Sequence, residues 1–374
     1  MDLTFSDREQ AFRAECRAWL RAHVPSESLG SHNTAEGFAR HVTWERELFE
    51  ARWAVVSWPE EFGGRGASLV EWLIFEEEYY AAGAPPRVTQ NGIFLLAPTL
   101  YEFGTDEQKA RILPAMARAD VLWAQAWSEP EAGSDLANVR ATATRVDGGW
   151  RVSGQKTWCS RGAFCDGIYG LFRTDPDSER HRGLSYMMVD LDQPEITVRP
   201  VDDLIGDAAF AEIFLDGAFV PDRDVIGEVN AGWKVAMATT SSERGLSLRS
   251  PGRFIATADR LAQHYRAQPR SSQRHAVVDA WMRSRAYRDH TFGTVTRMME
   301  GGHIGADSSL NKIFWSQLDI AMHEAALAIS GGMAETEGGW MDDYLFSLAG
   351  PIYAGTNEIQ RNIVAQRVLG LPRK

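Results

Sequence analysis

Near residue 119 the apolar residues of this chain stop recurring every three or four positions and begin to alternate. Near residue 229 the helical spacing returns. The alternating runs are Ala137 to Val146, Gly149 to Cys159, Gly167 to Arg173, Gly183 to Leu191, Glu195 to Val201 and Ala211 to Phe219. They carry Val, Ile, Tyr and Trp and are divided by Gly, Asp and Pro. Asp147-Gly148 between two of them is a hairpin signal. Consecutive short strands with no intervening helices predict an antiparallel barrel or sandwich. The fold class is therefore α+β: an N-terminal α-helical domain (1–118), a central antiparallel β-barrel or sandwich (119–228) and a C-terminal α-helical domain (229–374).

The flanking helices announce themselves by their caps. Ser6-Asp-Arg-Glu9 is a capping box, and Phe12, Cys16, Trp19, Leu20 and Val24 follow at helical spacing until Pro25. A second helix is expected over Val42 to Trp53. A third runs from Leu69 to Ala82, with Trp72, Phe75 and Tyr79 as a core stripe. Thr105-Asp-Glu-Gln108 is another capping box, and Pro114 is expected to interrupt its helix. After the strands, Asn230 can cap a long helix through Trp233 and Met237. Gln263 to Arg274 reads as a connection, and further helices are expected over Ala276–Met299, Ser308–Ile329 and Thr356–Gly370.

The formal net charge of −12 disfavours nucleic acid and anionic membranes as partners. No apolar run approaches the roughly 18 residues of a membrane helix, and the acidic start lacks an apolar signal core. Three cysteines (Cys16, Cys159, Cys165) are sparse and odd in number, which points to reduced thiols and a cytoplasmic protein. Cys159 is expected only to pack. No metal site is expected.

Chemistry concentrates in two segments. Trp127-Ser-Glu-Pro-Glu-Ala-Gly-Ser-Asp135 offers the Ser128 and Ser134 hydroxyls around Gly133, a turn sequence because Gly permits φ > 0. Such a loop can turn backbone N–H groups toward a phosphate or a flat polar ring. Ser153-Gly-Gln-Lys-Thr-Trp-Cys-Ser160 carries Trp158 and Ser160 two residues apart, which on a strand share one face. The pair fits either a hairpin with a core Trp or a wall for a flat heteroaromatic cofactor.

Together these segments resemble the flavin-binding β-domain signature of the acyl-CoA dehydrogenase family. Trp58-Pro-Glu-Glu-Phe-Gly-Gly-Arg-Gly66, Gly104-Thr-Asp-Glu-Gln-Lys109 with Leu113-Pro114, and Thr356-Asn-Glu-Ile-Gln-Arg361 follow in family order over nearly the whole chain. The resemblance implies an α-domain, a β-barrel and a four-helix C-terminal bundle, with FAD as cofactor between the last two. It implies α,β-dehydrogenation of an acyl-CoA or acyl-carrier-protein thioester, with electrons passed to an electron-transfer flavoprotein. By resemblance Trp158 packs on the flavin, Ser160 bonds near N5, and Ser128 faces the pyrimidine end. Ser134, after Gly133, lies near pyrophosphate and substrate. Gln125 and Trp127 occupy wall positions, and Thr356 and Glu358 approach from the C-terminal domain.

The family's frequent base, a Glu before the Gly-Thr of the C-terminal motif, falls on Ala354, which cannot accept a proton. A second family location matches Ser242-Glu243-Arg244-Gly245. Glu243 shares a helix face by spacing with Ala236, Thr239, Thr240 and Ser247, small residues that leave room for a ligand. Glu243 is thus the expected base, and Arg244 a candidate to steady the CoA arm. The stretch Tyr265 to Arg274 and the run Leu327-Ala-Ile-Ser-Gly-Gly332 lack the family's inter-subunit flavin contacts. That departure resembles members working as αβ pairs and also occurs in homodimers with rearranged contacts. A partner subunit without independent catalysis, and a flavin oxidase or monooxygenase on the same fold, are the alternative readings.

Overall fold

A computed structural model describes residues 4–372 except 245–249, 303, 307 and 336–337, and only the backbone of 241–244 and 335. The chain packs as two units. One comprises Met1–Ser26, Ala67–Ala84 and Glu243–Lys374, the other Glu27–Gly66 and Pro85–Ser242.

The first unit is helical. Helix α1 (Asp7–His23) begins at the predicted Ser6/Glu9 capping box and buries Phe12, Cys16 and Leu20. Helix α3 (Leu69–Ala81) has its own box from Ser68 and Glu71, and Trp72, Phe75 and Tyr79 are core residues as expected. Arg13 bridges Glu77 (2.9 Å) and Glu78 (2.8 Å) of α3, and Arg17 adds a second bond to Glu78 at 2.7 Å. The C-terminal helices are α7 (Pro251–Ala267), α8 (Arg274–Met299), α9 (Ser308–Ser330), α10 (Trp340–Ser347) and α11 (Asn357–Ile363). Phe254, Leu261, Tyr287, Trp315, Met322 and Ile329 form their core. Gly252 opens α7 against the backbone of Glu76, where a β-carbon would lie 2.6 Å from a carbonyl oxygen. Helix α7 extends to Ala267 into the expected connection, and α10 was not foreseen.

The second unit carries α2 (Ala35–Glu50), α4 (Ala97–Phe103), α5 (Asp106–Ala117), the sheet and α6 (Gly232–Arg244). A π-turn, Gly92–Leu96, leads into α4. The Thr105/Gln108 box caps α5 as predicted. Helix α5 nevertheless continues through Pro114, because a proline in the last turn removes only one backbone donor and clashes with one carbonyl. Among the described residues the strands are β1 (Trp123–Gln125), β2 (Thr142–Val146), β3 (Gly149–Lys156), β4 (Gly167–Arg173), β5 (Leu184–Asp190), β6 (Ile196–Val201), β7 (Phe210–Pro221) and β8 (Val225–Ile226).

They form one sheet in the order β6-β7-β3-β2-β4-β5-β8, with β1 parallel to β4 off that path. The ladders are mainly antiparallel, as expected. The sheet does not close, so of the two expected forms the barrel is excluded. The β2–β3 hairpin turns at Asp147-Gly148, with Gly148 at φ 72°. Trp150, Val152, Ile168, Phe172, Met187, Ile213 and Val220 fill its core. Asn230 does not cap α6. It adopts φ 65° and its side-chain oxygen accepts the Thr174 hydroxyl at 2.6 Å, so the helix starts at Gly232.

One buried ion pair anchors the helices of this unit. Arg87 donates to Glu45 at 2.7 Å, and the other Glu45 oxygen accepts the Val88 and Thr89 amides. Removing one partner strands a desolvated charge. Glu45→Ala is expected to lower unfolding free energy by about 3–5 kcal/mol. Urea denaturation checks this, and a loss below about 1 kcal/mol would show that Arg87 is satisfied without Glu45.

Candidate active site

Strand β1 delivers its last residue, Gln125, beside Tyr169 of β4 and continues into the loop 126–135. Gln125 Nε2 is buried with no protein acceptor. Trp127 turns inward: its indole N–H donates to the Tyr186 hydroxyl at 3.1 Å and the rings meet edge to face. What Trp127 offers a ligand is therefore its backbone. Glu129 and Ala132 exchange both backbone bonds at 3.0 Å, closing a tight turn over Pro130 and Glu131. Gly133 and Ser134 are exposed. Contrary to the turn argument made from sequence, Gly133 does not take a positive φ; a β-carbon there would meet nothing within 4 Å. Asp135 pairs with Arg180 at 2.8 Å.

A buried ion pair holds this loop to β3. Lys156 is fully buried, and its ammonium donates to Glu129 (2.8 Å) and to the Leu171 carbonyl (2.8 Å), above the Phe172 ring. The other Glu129 oxygen accepts the Arg140 amide at 2.6 Å, and Oε1 also takes the Ala141 amide at 3.0 Å. Burial pushes the Lys156 ammonium pKa down, and Glu129 opposes that shift. The Thr157 amide then donates to the Ser128 carbonyl at 2.9 Å, so the two sequence segments are directly joined.

Strand β3 ends at Lys156, not Cys159. Trp158 sits at φ 57° and Arg161 at φ 55°. The two-residue alternation used to put Trp158 and Ser160 on one face therefore does not apply; a left-handed residue breaks it. The structure also decides against a core Trp, because Trp158 is 61% exposed, braced edge-on by Phe210. Among the described residues the Trp158 and Ser160 amides have no backbone partner, while Cys159 pairs with Ala211 in both directions. Cys159 is buried, and burial pushes its thiol up to about 12, in keeping with a packing role.

Thr356 and Glu358 belong to the other unit. The Thr356 hydroxyl caps α11, accepting from the Ile359 amide at 3.3 Å. Ahead of it Ala354 (φ 56°) and Gly355 (φ 77°) are both left-handed. Buried Gln360 donates to both their carbonyls, at 3.2 and 3.1 Å. Asn357 accepts from Lys312 at 3.0 Å and bonds Ser316. Glu358 is exposed; its own backbone amide, with Thr356 and Arg361, holds its carboxyl below the usual range. Helix α6 is described through Arg244, with Ala236, Thr239 and Thr240 buried, but the side chains of Glu243 and Arg244 and all of Ser247 lie outside the described residues. The small residues on this face are packed: Thr239 meets the Thr99 hydroxyl at 2.7 Å.

Glu129 and Lys156 were missed from the sequence as organising residues. A signal existed: on β3, Lys156 falls two and four positions after Gly154 and Val152, on the face that Val152 buries. A lone lysine on an inward face calls for a carboxylate.

Models of the acyl-CoA dehydrogenase N-terminal, middle and C-terminal domains match residues 6–120, 124–218 and 230–369. The acyl-CoA dehydrogenase IpdE1 of Mycobacterium tuberculosis is 39% identical, over 98% of each chain. The chain belongs to the acyl-CoA dehydrogenase family. Members of this family are FAD-dependent oxidoreductases. IpdE1 of Mycolicibacterium smegmatis is 37% identical over 98% of each chain. Among solved structures, the Tcur3481-Tcur3483 steroid ACAD aligns with a TM-score of 0.89 at 25% identity over all of both chains. The ChsE4-ChsE5 complex of Mycobacterium tuberculosis aligns at 0.87 and 26%, again over all of both chains. No described helix is long and apolar enough to cross a membrane.

The residues present fit a flat cofactor with a polar edge. Trp158 presents a ring, the Trp158 and Ser160 amides are free of backbone partners, and Gln125 Nε2 is an orphaned buried donor. Lys156→Met should leave Glu129 buried without its cation and destabilise the protein by about 3–5 kcal/mol in urea unfolding. Lys156→Arg should retain more of the stability; equal losses would argue that size, not charge, matters there. Cys159 should resist iodoacetamide at pH 8 in the folded protein and react once unfolded, read by mass spectrometry. Fast labelling of native protein would contradict the burial.

Proposed function

We propose that this chain catalyses α,β-dehydrogenation of an acyl-CoA, or acyl-carrier-protein, thioester, with Glu243 as base. The observation that carries this reading is Trp158, an aromatic plane held open in a left-handed backbone at the end of β3. An exposed indole in a strained conformation points to a ligand face. The loop residues Ser128, Gly133 and Ser134, with Gln125, Trp127, Trp158 and Ser160, would hold FAD from one unit. Thr356 and Glu358 would hold it from the other. When bound, FAD supplies the acceptor for the hydride leaving the substrate β-carbon.

This chain's own part is to remove the α-proton. That proton is weakly acidic, so a base must be positioned within hydrogen-bond reach and shielded enough to have a raised pKa. Ala354 has no group to do so. Glu243 is the nearest carboxylate the family pattern provides, and on α6 its position follows Thr239 by one helical turn. Arg244 is assigned to steadying the CoA arm or the carboxylate. The three-part order 1–118, 119–228 and 229–374 is the division of labour this mechanism uses.

The substrate class we favour is a polycyclic acyl group, since one of the aligned structures is titled a steroid ACAD. The partner we favour is a second, related polypeptide in an αβ assembly, since both aligned structures are titled as two-protein complexes. The unmatched inter-subunit stretches around residues 265–274 and 327–332 support the same view. Electrons would pass to an electron-transfer flavoprotein.

Glu243→Ala should leave FAD bound and abolish anaerobic bleaching of flavin by acyl-CoA. Persistent bleaching would assign the base elsewhere. Comparing a steroid side-chain CoA thioester with a straight-chain acyl-CoA tests the substrate class; faster bleaching by the straight chain would reject it.

A further inference from the structure

Five buried groups in the second unit stand in line. The Trp127 indole N–H donates to the Tyr186 hydroxyl at 3.1 Å. Tyr186 Oη lies 3.4 Å from Thr239 Oγ1 on α6, which lies 2.7 Å from Thr99 Oγ1 on α4. Thr99 Oγ1 is 2.8 Å from the Leu95 carbonyl in the π-turn. Thr239 also lies 3.1 Å from the Val235 carbonyl of its own helix.

Counting protons gives the line a direction. Each hydroxyl has one proton to donate. If Thr239 and Thr99 both donated to backbone carbonyls, their 2.7 Å contact would have no proton in it. One of the two must donate to the other. With Thr239 donating to Thr99 and Thr99 to Leu95, every group donates to the next, from Trp127 to a carbonyl acceptor. All of them are buried, where such chains strengthen cooperatively and a missing member is costly.

The ends of this line matter more than its length. Trp127 immediately precedes Ser128, in the loop proposed to hold the cofactor. Thr239 lies one turn before Glu243, the proposed base. We propose that Tyr186 and Thr239 are positioning residues that lock helix α6 to the cofactor loop, so that base helix and cofactor wall hold one register. The assignment of functions to loop and helix rests on the preceding section; the mechanical coupling does not.

Thr239→Val removes the hydroxyl at nearly constant volume, and Thr239 touches no residue of loop 127–135 except through Tyr186. Hydrogen–deuterium exchange of the 127–135 peptide should be about tenfold faster in Thr239→Val and in Tyr186→Phe. The double variant should be no faster than the faster single one. Thr239→Ser, which keeps the hydroxyl, should exchange as wild type. FAD dissociation should weaken in step with exchange in the variants. Unchanged loop exchange in Thr239→Val, or additive effects in the double variant, would overturn the coupling. Faster exchange with unchanged FAD affinity would uphold the coupling and instead reject the loop as cofactor wall. Glu243→Ala is the control, expected to leave loop exchange at the wild-type rate.

Discussion

The bond between Lys156 and Glu129 fixes where everything at the cofactor-facing end of the sheet can be. A lysine with no exposed surface is costly to desolvate, and it is tolerated only because its donors are answered by a carboxylate and a carbonyl. The carboxylate is answered in turn by two backbone amides across the loop. Neither charge can be shifted without unpairing the other, so the turn at 129–132 and the end of β3 are held as one piece. Trp158 follows two residues later, and its open pose depends on the chain leaving β3 at that fixed point.

Much of the fold was legible in the sequence because the signals were local. Ser6/Glu9 and Thr105/Gln108 each specify a helix start from four residues, and both formed as expected. The stretch Gly167–Arg173 was bounded correctly by its glycine and its charge. What was not legible depended on partners far along the chain. Strand β1 is three residues long and exists because β4 lies beside it. Sheet closure could not be read at all, since it depends on where β6 and β8 end up, not on either strand's alternation. Asn230 has good capping chemistry, but Thr174 and Ser185 claim it first.

At the site, residue types were easier to identify than their poses. Trp158 and Ser160 were singled out for sharing a strand face, yet Trp158 is left-handed and off the strand. Gly133 was singled out for a left-handed turn it does not make. The residues that hold the arrangement, Lys156, Glu129, Tyr186 and Thr239, draw their meaning from contacts across 27, 53 and 140 positions of sequence. The family resemblance supplied the site, and packing supplied its geometry.

The open sheet leaves two edges, and an edge strand is a template onto which another chain can add and begin aggregation. Strand β8 gives little purchase, being two residues long. Strand β6 reads Ile-Thr-Val-Arg-Pro-Val, so Arg199 sets a charge along it and Pro200 deletes a donor from its backbone row. Asp202 and Asp203 follow at once. A chain that keeps its sheet open thus also carries, in a few residues of one edge, the means of staying apart from its copies at high concentration.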